Sequence, residues 1–377
     1  MTPISDDEFE RTIVVSHKGS SAAPASDVVG HYFVVSKGDQ PVALVEITTN
    51  DLTIGRDPAQ ALALADTEMS RLHARAAIVN GEVVVADLGS TNGTFLDGQR
   101  LTKPVTLKEG SVLRMGSHLL KYERRGRRDA ARSMELDRDL QRASSYVVSL
   151  LPAPLTSGPV LTDWKFVPST QLGGDAFGYD WIDAETFVFY LMDVSGHGVG
   201  SAMHSVTVLN VLRQRALPDV NFVEPAQVLT SLNNRFQMDS HDGLFFTMWY
   251  GVYRTGDRTL TYGSAGHHPA YLVSSDKRTF NPLSTPAPMI GMIPDVVYEV
   301  QQTTVPRDNS LYLFSDGLVE VVTLSGERWN LSDLEPLLTE PALPGTSESE
   351  RLYTAVKRAT GAGPLDDDAS LMVLKFP

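Results

Sequence analysis

Four aspartates from Asp175 onward share one setting, a strand-like apolar run on one side and glycine close by. Asp175 closes Gly173-Gly174-Asp175. Asp193 follows the run FVFYLM and opens Asp193-Val194-Ser195-Gly196-His197-Gly198. Asp316 follows LYLFS and precedes Gly317, and the triplet Asp366-Asp367-Asp368 stands just ahead of SLMVLKF. Carboxylates at strand ends can converge on one edge of a sheet, where they repel one another unless cations neutralise them. The chain has no cysteine, so the donors are oxygens, which suit Mg²⁺ or Mn²⁺ better than Zn²⁺. Two or more such ions, roughly 3.5–4 Å apart, bind phosphate oxygens and lower the pKa of a bridging water enough to make it a nucleophile near neutral pH. A single Asp-Gly is ordinarily a turn; four strand-end cases in one chain argue for a site.

A second group lies in residues 50–98. Gly55-Arg56 ends a strand-like run, Ser70-Arg71-Leu72-His73 forms one loop, and Gly89-Ser90-Thr91-Asn92-Gly93-Thr94-Phe95 forms another. A phosphate ester is held well by a fixed guanidinium with hydroxyl and amide donors around it, and loops on a rigid β framework can present that set. Each piece alone carries nothing. Four further residues are of types that could do chemistry. His197 offers a general acid, but its glycine loop makes a structural role the better reading. Ser195 lacks the strand–elbow setting of G-x-S-x-G, which sets a serine hydrolase aside. His267 and His268 in AGHHP read as structural, since an oxygen site needs no imidazole.

The elements that must position these groups follow from length and pattern. A chain of 377 residues is too long for one ordinary core and suits two domains with a connector. Hydrophobic content of 42% and charged content of 21% are those of a globular protein. No apolar run approaches the roughly 20 residues of a membrane span, and the acidic start MTPISDDEFE is unlike a signal peptide. A cytoplasmic location is expected. A net charge of −14 leaves no footprint for nucleic acid or an anionic membrane, so no partner of either kind is expected. The lack of cysteine also excludes every thiolate mechanism.

Residues 1–30 read as a flexible acidic tail and linker, with Asp6, Asp7, Glu8 and Glu10 ahead of Arg11-Thr12-Ile13. Residues 31–122 alternate short β-type runs with turn signals. Asn80-Gly81 is a hairpin dipeptide, and Asn92-Gly93 and Asp97-Gly98 repeat the signal. That pattern predicts an all-β sandwich. Residues 123–150 become basic and then helical. Leu136, Leu140, Ala143, Val147 and Leu150 form a seam that suits either a short coiled coil, hence a homodimer through helix 129–150, or a helix packed on its own domain. Residues 151–377 mix strands with helices expected over Ala202–Leu217, stopped by Pro218, and Ala226–Phe236, opened by Glu224-Pro225. Gly256-Asp257 is expected to join two strands.

In this order and spacing the N-terminal motifs resemble the forkhead-associated (FHA) domain, over roughly residues 31–122. The resemblance implies phosphothreonine binding, with Arg56, Ser70 and Thr91 on the phosphate, Arg71 and Asn92 on phosphate or peptide backbone, and His73 as a loop brace. It also makes Thr12, an acidic-flanked threonine, the candidate phosphosite for the reader of its own or a neighbouring chain. The partner implied is a phosphothreonine protein or a serine/threonine kinase.

The C-terminal motifs resemble the PPM family of metal-dependent protein phosphatases (protein phosphatase 2C-like) in its bacterial SpoIIE-type branch, over 151–377. The likeness rests on LLP, GGDAFGYD, DVSGHG, the stretch from FFTMWYGVY to AGHHPAYL, FSDGLVE and DDASLMVL. It implies a four-layer αββα sandwich and hydrolysis of phosphoserine or phosphothreonine on a protein substrate. It also implies metal ligation by Asp175, Asp193, the Val194 carbonyl, Asp316 and Asp367, with Asp193, Asp316 and Asp175 carrying catalysis. Asp366 and Asp368 stay open as alternatives to Asp367. Gly174 stands where eukaryotic relatives carry an acidic residue, and no arginine is apparent for their phosphate clamp. The alternative reading is an FHA-based adaptor whose phosphatase domain is degenerate; a two-metal nuclease is disfavoured by the acidic composition.

Overall fold

The computed structural model describes residues 28–37, 40–48, 51–169, 172–361 and 365–377, so Thr12 lies outside the described residues. It divides into two compact units between Arg138 and Asp139.

The first unit is a sandwich of two sheets. One has six strands in the spatial order Gln40–Ile47, Val29–Lys37, His118–Gly126, Val112–Met115, Phe95–Leu96, Gln99–Arg100. The other has five, in the order Leu62–Ala63, Leu52–Gly55, Ala74–Val79, Glu82–Asp87, Val105–Thr106. Alternate residues point inward, so Phe33, Val35, Ile54, Val83, Val85 and Leu113 are fully buried. Val79 pairs with Glu82 across Asn80-Gly81, whose φ angles of 53° and 81° are those of a two-residue hairpin turn. Asp97-Gly98 does the same between Leu96 and Gln99. Asn92-Gly93 does not: it belongs to the loop between Glu82–Asp87 and Phe95–Leu96, and Gly93 takes its positive φ there without closing a hairpin.

Helix α1, Arg127–Leu150, comes next. Along its second half Leu140, Ala143 and Val147 pack with Leu172, Ala202 and Val206, while Leu136 is 59% exposed. Packing on the domain that follows thus accounts for these three seam positions without a second chain.

The second unit has four layers. One sheet runs Ala176–Trp181, Thr186–Val194, Phe246–Arg254, Thr259–Ala265, Gln301–Thr304, and the other runs Leu161–Val167, Ala369–Phe376, Asn309–Phe314, Ala270–Val273, Phe280–Leu283. Phe177, Phe189, Leu191 and Trp249 of the first face Leu311, Leu313, Met372 and Leu374 of the second. Helices α2 (Val199–Arg213) and α3 (Pro225–Arg235) cover the first sheet, and α4 (Leu331–Leu338) and α5 (Glu348–Thr360) cover the second. Strands covered on both faces need apolar side chains at every position, which is why FVFYLM and SLMVLKF read as continuous runs. The Gly256-Asp257 turn joins Phe246–Arg254 to Thr259–Ala265. Helix α2 begins three residues earlier than expected and ends at Arg213, well before Pro218. Its end is set by a Schellman arrangement: Arg215 adopts φ 52°, Ala216 N donates to Val211 O and Arg215 N to Leu212 O. Among the described residues no helix is long and apolar enough to cross a membrane.

Val147 is buried and Leu136 is not. Val147→Ala is expected to destabilise the protein by about 2 kcal/mol through the cavity it leaves, and Leu136→Ala to change stability by less than about 0.5 kcal/mol, as read by chemical denaturation.

Candidate active site

Each sheet of the second unit delivers carboxylates by the same construction. Ala176 pairs with Met192 in an antiparallel ladder, so Asp175, just before one strand, stands across from Asp193, at the end of the next. In the other sheet Phe314 pairs with Leu371, and Ser315 N donates to Ser370 O at 3.0 Å. Asp316 and the Asp366–Asp368 run therefore meet at that sheet's edge.

The groups act on one another across the sheets. Burial, then the charges of Asp316, Asp367 and Asp368, push Asp193 well above the usual carboxylate range. Burial, then Asp193 and Asp368, do the same to Asp175. Asp316 is pushed up to about 6 by burial, Asp367 and Glu320. Burial also raises Asp367, whose charge His197 partly offsets. All four sequence-derived aspartates thus belong to one electrostatic cluster, with His197 beside it.

Asp368 has a different part. It is buried, and its Oδ1 accepts from Ser169 N (2.7 Å) and Ser169 Oγ (3.0 Å) while its Oδ2 accepts from Gly174 N (2.6 Å). Both oxygens are occupied by the Ser169 and Gly173–Asp175 segments of the opposite sheet's approach. Of the triplet, Asp366 and Asp367 are exposed, and only Asp367 adds its charge to Asp193 and Asp316 together with Asp368. Glycine is required around this point. A Cβ on Gly317 would lie 2.2 Å from the Asp368 carbonyl oxygen, and one on Gly174 would lie 2.8 Å from the Val194 carbonyl oxygen. The second contact explains why no acidic side chain occupies 174.

The residues fit a hard divalent cation. The donors are all oxygen, Asp175 Oδ2 is buried without a hydrogen bond, and the Val194 carbonyl comes up against the Gly174 backbone. The hydroxyls of Ser315 and Ser370 ease the Asp175 charge, although neither bonds Oδ2. Among the described residues no three His, Asp or Glu side chains close on a single point. That favours an ion held by one or two carboxylates with water completing its shell, as Mg²⁺ commonly is. Ser195 has no histidine partner; its Oγ accepts from Phe245 N at 3.1 Å. His267 is buried and lowered to about 4, chiefly by that burial, and so stays neutral.

In the first unit the loops are clasped by His73, which is fully buried. Its Nδ1 accepts from Ser70 N at 3.2 Å, so Nε2 carries the proton and donates to Gly93 O at 3.3 Å. This brings Ser70 to Thr91: Thr91 N donates to Ser70 Oγ at 3.0 Å, and the two hydroxyls lie 3.4 Å apart. Asn92 Nδ2 donates to Glu68 O at 2.8 Å. Arg56 N donates to Ser70 O at 3.0 Å. The Arg56 and Arg71 side chains are exposed, and among the described residues neither has an ion-pair partner. Gly55 is obligatory, since a Cβ there would lie 2.2 Å from Arg71 O.

Comparison with known proteins decides the family. The family model for Stage II sporulation protein E (SpoIIE) matches residues 183–377, more than half of the chain, and the FHA domain model matches residues 52–116. The chain belongs to the SpoIIE family. It carries an FHA domain ahead of a SpoIIE-type, PP2C-like domain. The phosphoserine phosphatase RsbU of Bacillus subtilis is 29% identical over 212 residues, covering 55% of this chain and 61% of that protein. The phosphoserine phosphatase RsbP of the same organism is 28% identical over 247 residues, 64% of this chain and 57% of that protein. The SpoIIE-family chain therefore spans only about 60% of the length of these relatives. The SiaA PP2C domain of Pseudomonas aeruginosa superposes with a TM-score of 0.58 at 19% identity, covering 66% of this chain and 100% of that one, and so shares the fold.

Sequence reasoning missed two residues and the role of a third. Glu320, whose backbone N donates to Asp316 O at 2.7 Å, adds a carboxylate beside Asp316; its place four residues after Asp316 in FSDGLVE was the available signal. Asp368 was weighed only as a ligand. Arg100 stacks its guanidinium against Gly93, where a Cβ would lie 2.5 Å from Nε, and nothing local in the sequence marks it.

The raised carboxylates give the stability of the metal-free protein a sign. The folded state keeps protons that the unfolded chain, at its ordinary value of 3.8, has released. That stabilisation is complete below the unfolded value and is lost as pH rises through about 6 for Asp316 and higher for the Asp175–Asp193 pair. In chelator the melting temperature is expected to fall from about pH 5 to about pH 8, and added Mn²⁺ to raise it most at the alkaline end.

Proposed function

We propose that the chain is a divalent-metal-dependent protein phosphatase acting on phosphoserine or phosphothreonine, with an FHA domain that binds phosphothreonine. The observation that carries it is the meeting of two carboxylate pairs, Asp175 with Asp193 and Asp316 with Asp367, each delivered by its own sheet. Mg²⁺ or Mn²⁺, two or more ions, would be held by Asp175, Asp193, the Val194 carbonyl, Asp316 and Asp367. Such ions supply Lewis acidity toward phosphate oxygens and a means of deprotonating water near neutral pH. The chain's own part is positioning. Asp193 and Asp175 give up protons that burial and the neighbouring carboxylates retain, and Asp316, with Glu320 behind it, lies on the far side of the cluster. The relatives RsbU and RsbP are named phosphoserine phosphatases, which favours phosphoserine as the ester.

At the FHA loops, Arg56, Ser70 and Thr91 would take the phosphate, with Arg71 and Asn92 on phosphate or backbone. The partner is a phosphothreonine protein, a serine/threonine kinase among them, or the chain's own tail phosphorylated at Thr12. Pairing of two chains through α1 would fall to its exposed first half, around Leu136.

Two outcomes are expected. Mn²⁺-dependent hydrolysis of p-nitrophenyl phosphate should fall at least about 100-fold in Asp193→Ala, several kcal/mol of lost electrostatic stabilisation; turnover that survives this change would remove the reading. A phosphothreonine peptide should bind Arg56→Ala at least about tenfold more weakly, the loss of a charge-assisted bond, with no change in melting temperature. A Thr12-phosphorylated tail peptide that bound no better than its unphosphorylated form would remove the internal ligand.

A further inference from the structure

A cleft of about 490 Å³ is lined by His268, Val319, Glu320, Arg328, Trp329, Asn330 and Leu331. It adjoins the centre described above through Glu320. Glu320, at its inner end, is bonded through its backbone to Asp316 and raises that carboxyl, and the Glu320 charge also acts on His268. The outer end carries Arg328. Its side chain is exposed, and among the described residues it has no ion-pair or side-chain hydrogen-bond partner.

The backbone that presents Arg328 is fixed. Arg328 bridges to Val322, Trp329 N donates to Val321 O at 2.9 Å, and Asn330 starts α4 in a reciprocal capping box with Asp333. Trp329 and Leu331 pack on the core beneath α4 and α5. An unpaired cation on a rigid rim, an apolar floor and a carboxylate at the inner end form a surface with a direction. An extended segment entering it meets negative charge nearest the reacting ester and positive charge farther out.

We infer that this cleft docks the stretch of protein substrate next to the phosphorylated residue, with an apolar side chain on Val319, Trp329 and Leu331 and an acidic side chain on Arg328. The inference rests on the phosphatase reading above and names the substrate class for the same site. Arg328 sets preference among substrates here.

The test uses the full chain with Mn²⁺ and two synthetic phosphoserine peptides that differ only in flanking glutamates or lysines. The wild-type protein should prefer the glutamate peptide by roughly fivefold in kcat/KM, the size of a partly exposed charge pair, and mainly through KM. In Arg328→Glu the preference should invert, with turnover of the lysine peptide rising above that of the wild type, a gain that misfolding cannot produce. No preference in the wild type, or an equal fall on both peptides in Arg328→Glu, would overturn the docking site. Failure of the wild type to hydrolyse p-nitrophenyl phosphate would overturn the phosphatase reading instead.

Discussion

The second unit depends on Asp368, a carboxylate that holds other carboxylates in place. It emerges at the start of one sheet's Ala369–Phe376 strand and accepts three hydrogen bonds from Ser169 and Gly174, on the approach to the other sheet. Charge-assisted bonds of this kind are worth about 1.5–3 kcal/mol each. Like-charge pairs in a partly buried setting cost several kcal/mol at short range. The two effects are of the same order, so the cluster of Asp175, Asp193, Asp316 and Asp367 can be held together before any cation arrives, at the cost of protons retained. Exchange of those protons for cations then links metal binding to pH.

The glycines follow from the same clamp. Gly317 lets its backbone touch that of Asp367 and Asp368, Gly174 lets its own touch the Val194 carbonyl, and a side chain at either would push apart neighbouring strand ends of one sheet. The FHA domain solves its problem by a comparable device with a neutral group. His73 is buried and spends both ring nitrogens on the loops that carry Ser70 and Gly93. In each unit the residues exposed to ligand are ordinary, and a buried neighbour gives them their geometry. The cleft toward Arg328 extends this logic outward, since its rim is fixed by a strand bridge and a capped helix.

Much of this architecture was legible in the residues. Apolar runs without alternation marked doubly covered strands, and Asn80-Gly81 and Asp97-Gly98 marked hairpins because few residues accept positive φ. The carboxylates were legible because the strand-end setting recurs four times, where a single Asp-Gly reads as a turn. What was not legible depended on contacts between distant segments. The Asn92-Gly93 pair has hairpin chemistry but is held in a loop by His73. Helix α2 stops at a left-handed Arg215, a residue type that does not announce such an end. In the Asp366-Asp367-Asp368 run, only the position of Ser169, some two hundred residues earlier in the chain, separates the clamp from the candidate ligand.

Anomalous diffraction at the manganese edge, from crystals of the full chain grown with Mn²⁺ at neutral pH, tests the central claim most directly. The account requires peaks between the Asp175–Asp193 and Asp316–Asp367 pairs, with Asp368 still bonded to Ser169 and Gly174. Peaks elsewhere, or Asp368 swung out to ligate the metal in place of Asp367, would contradict it.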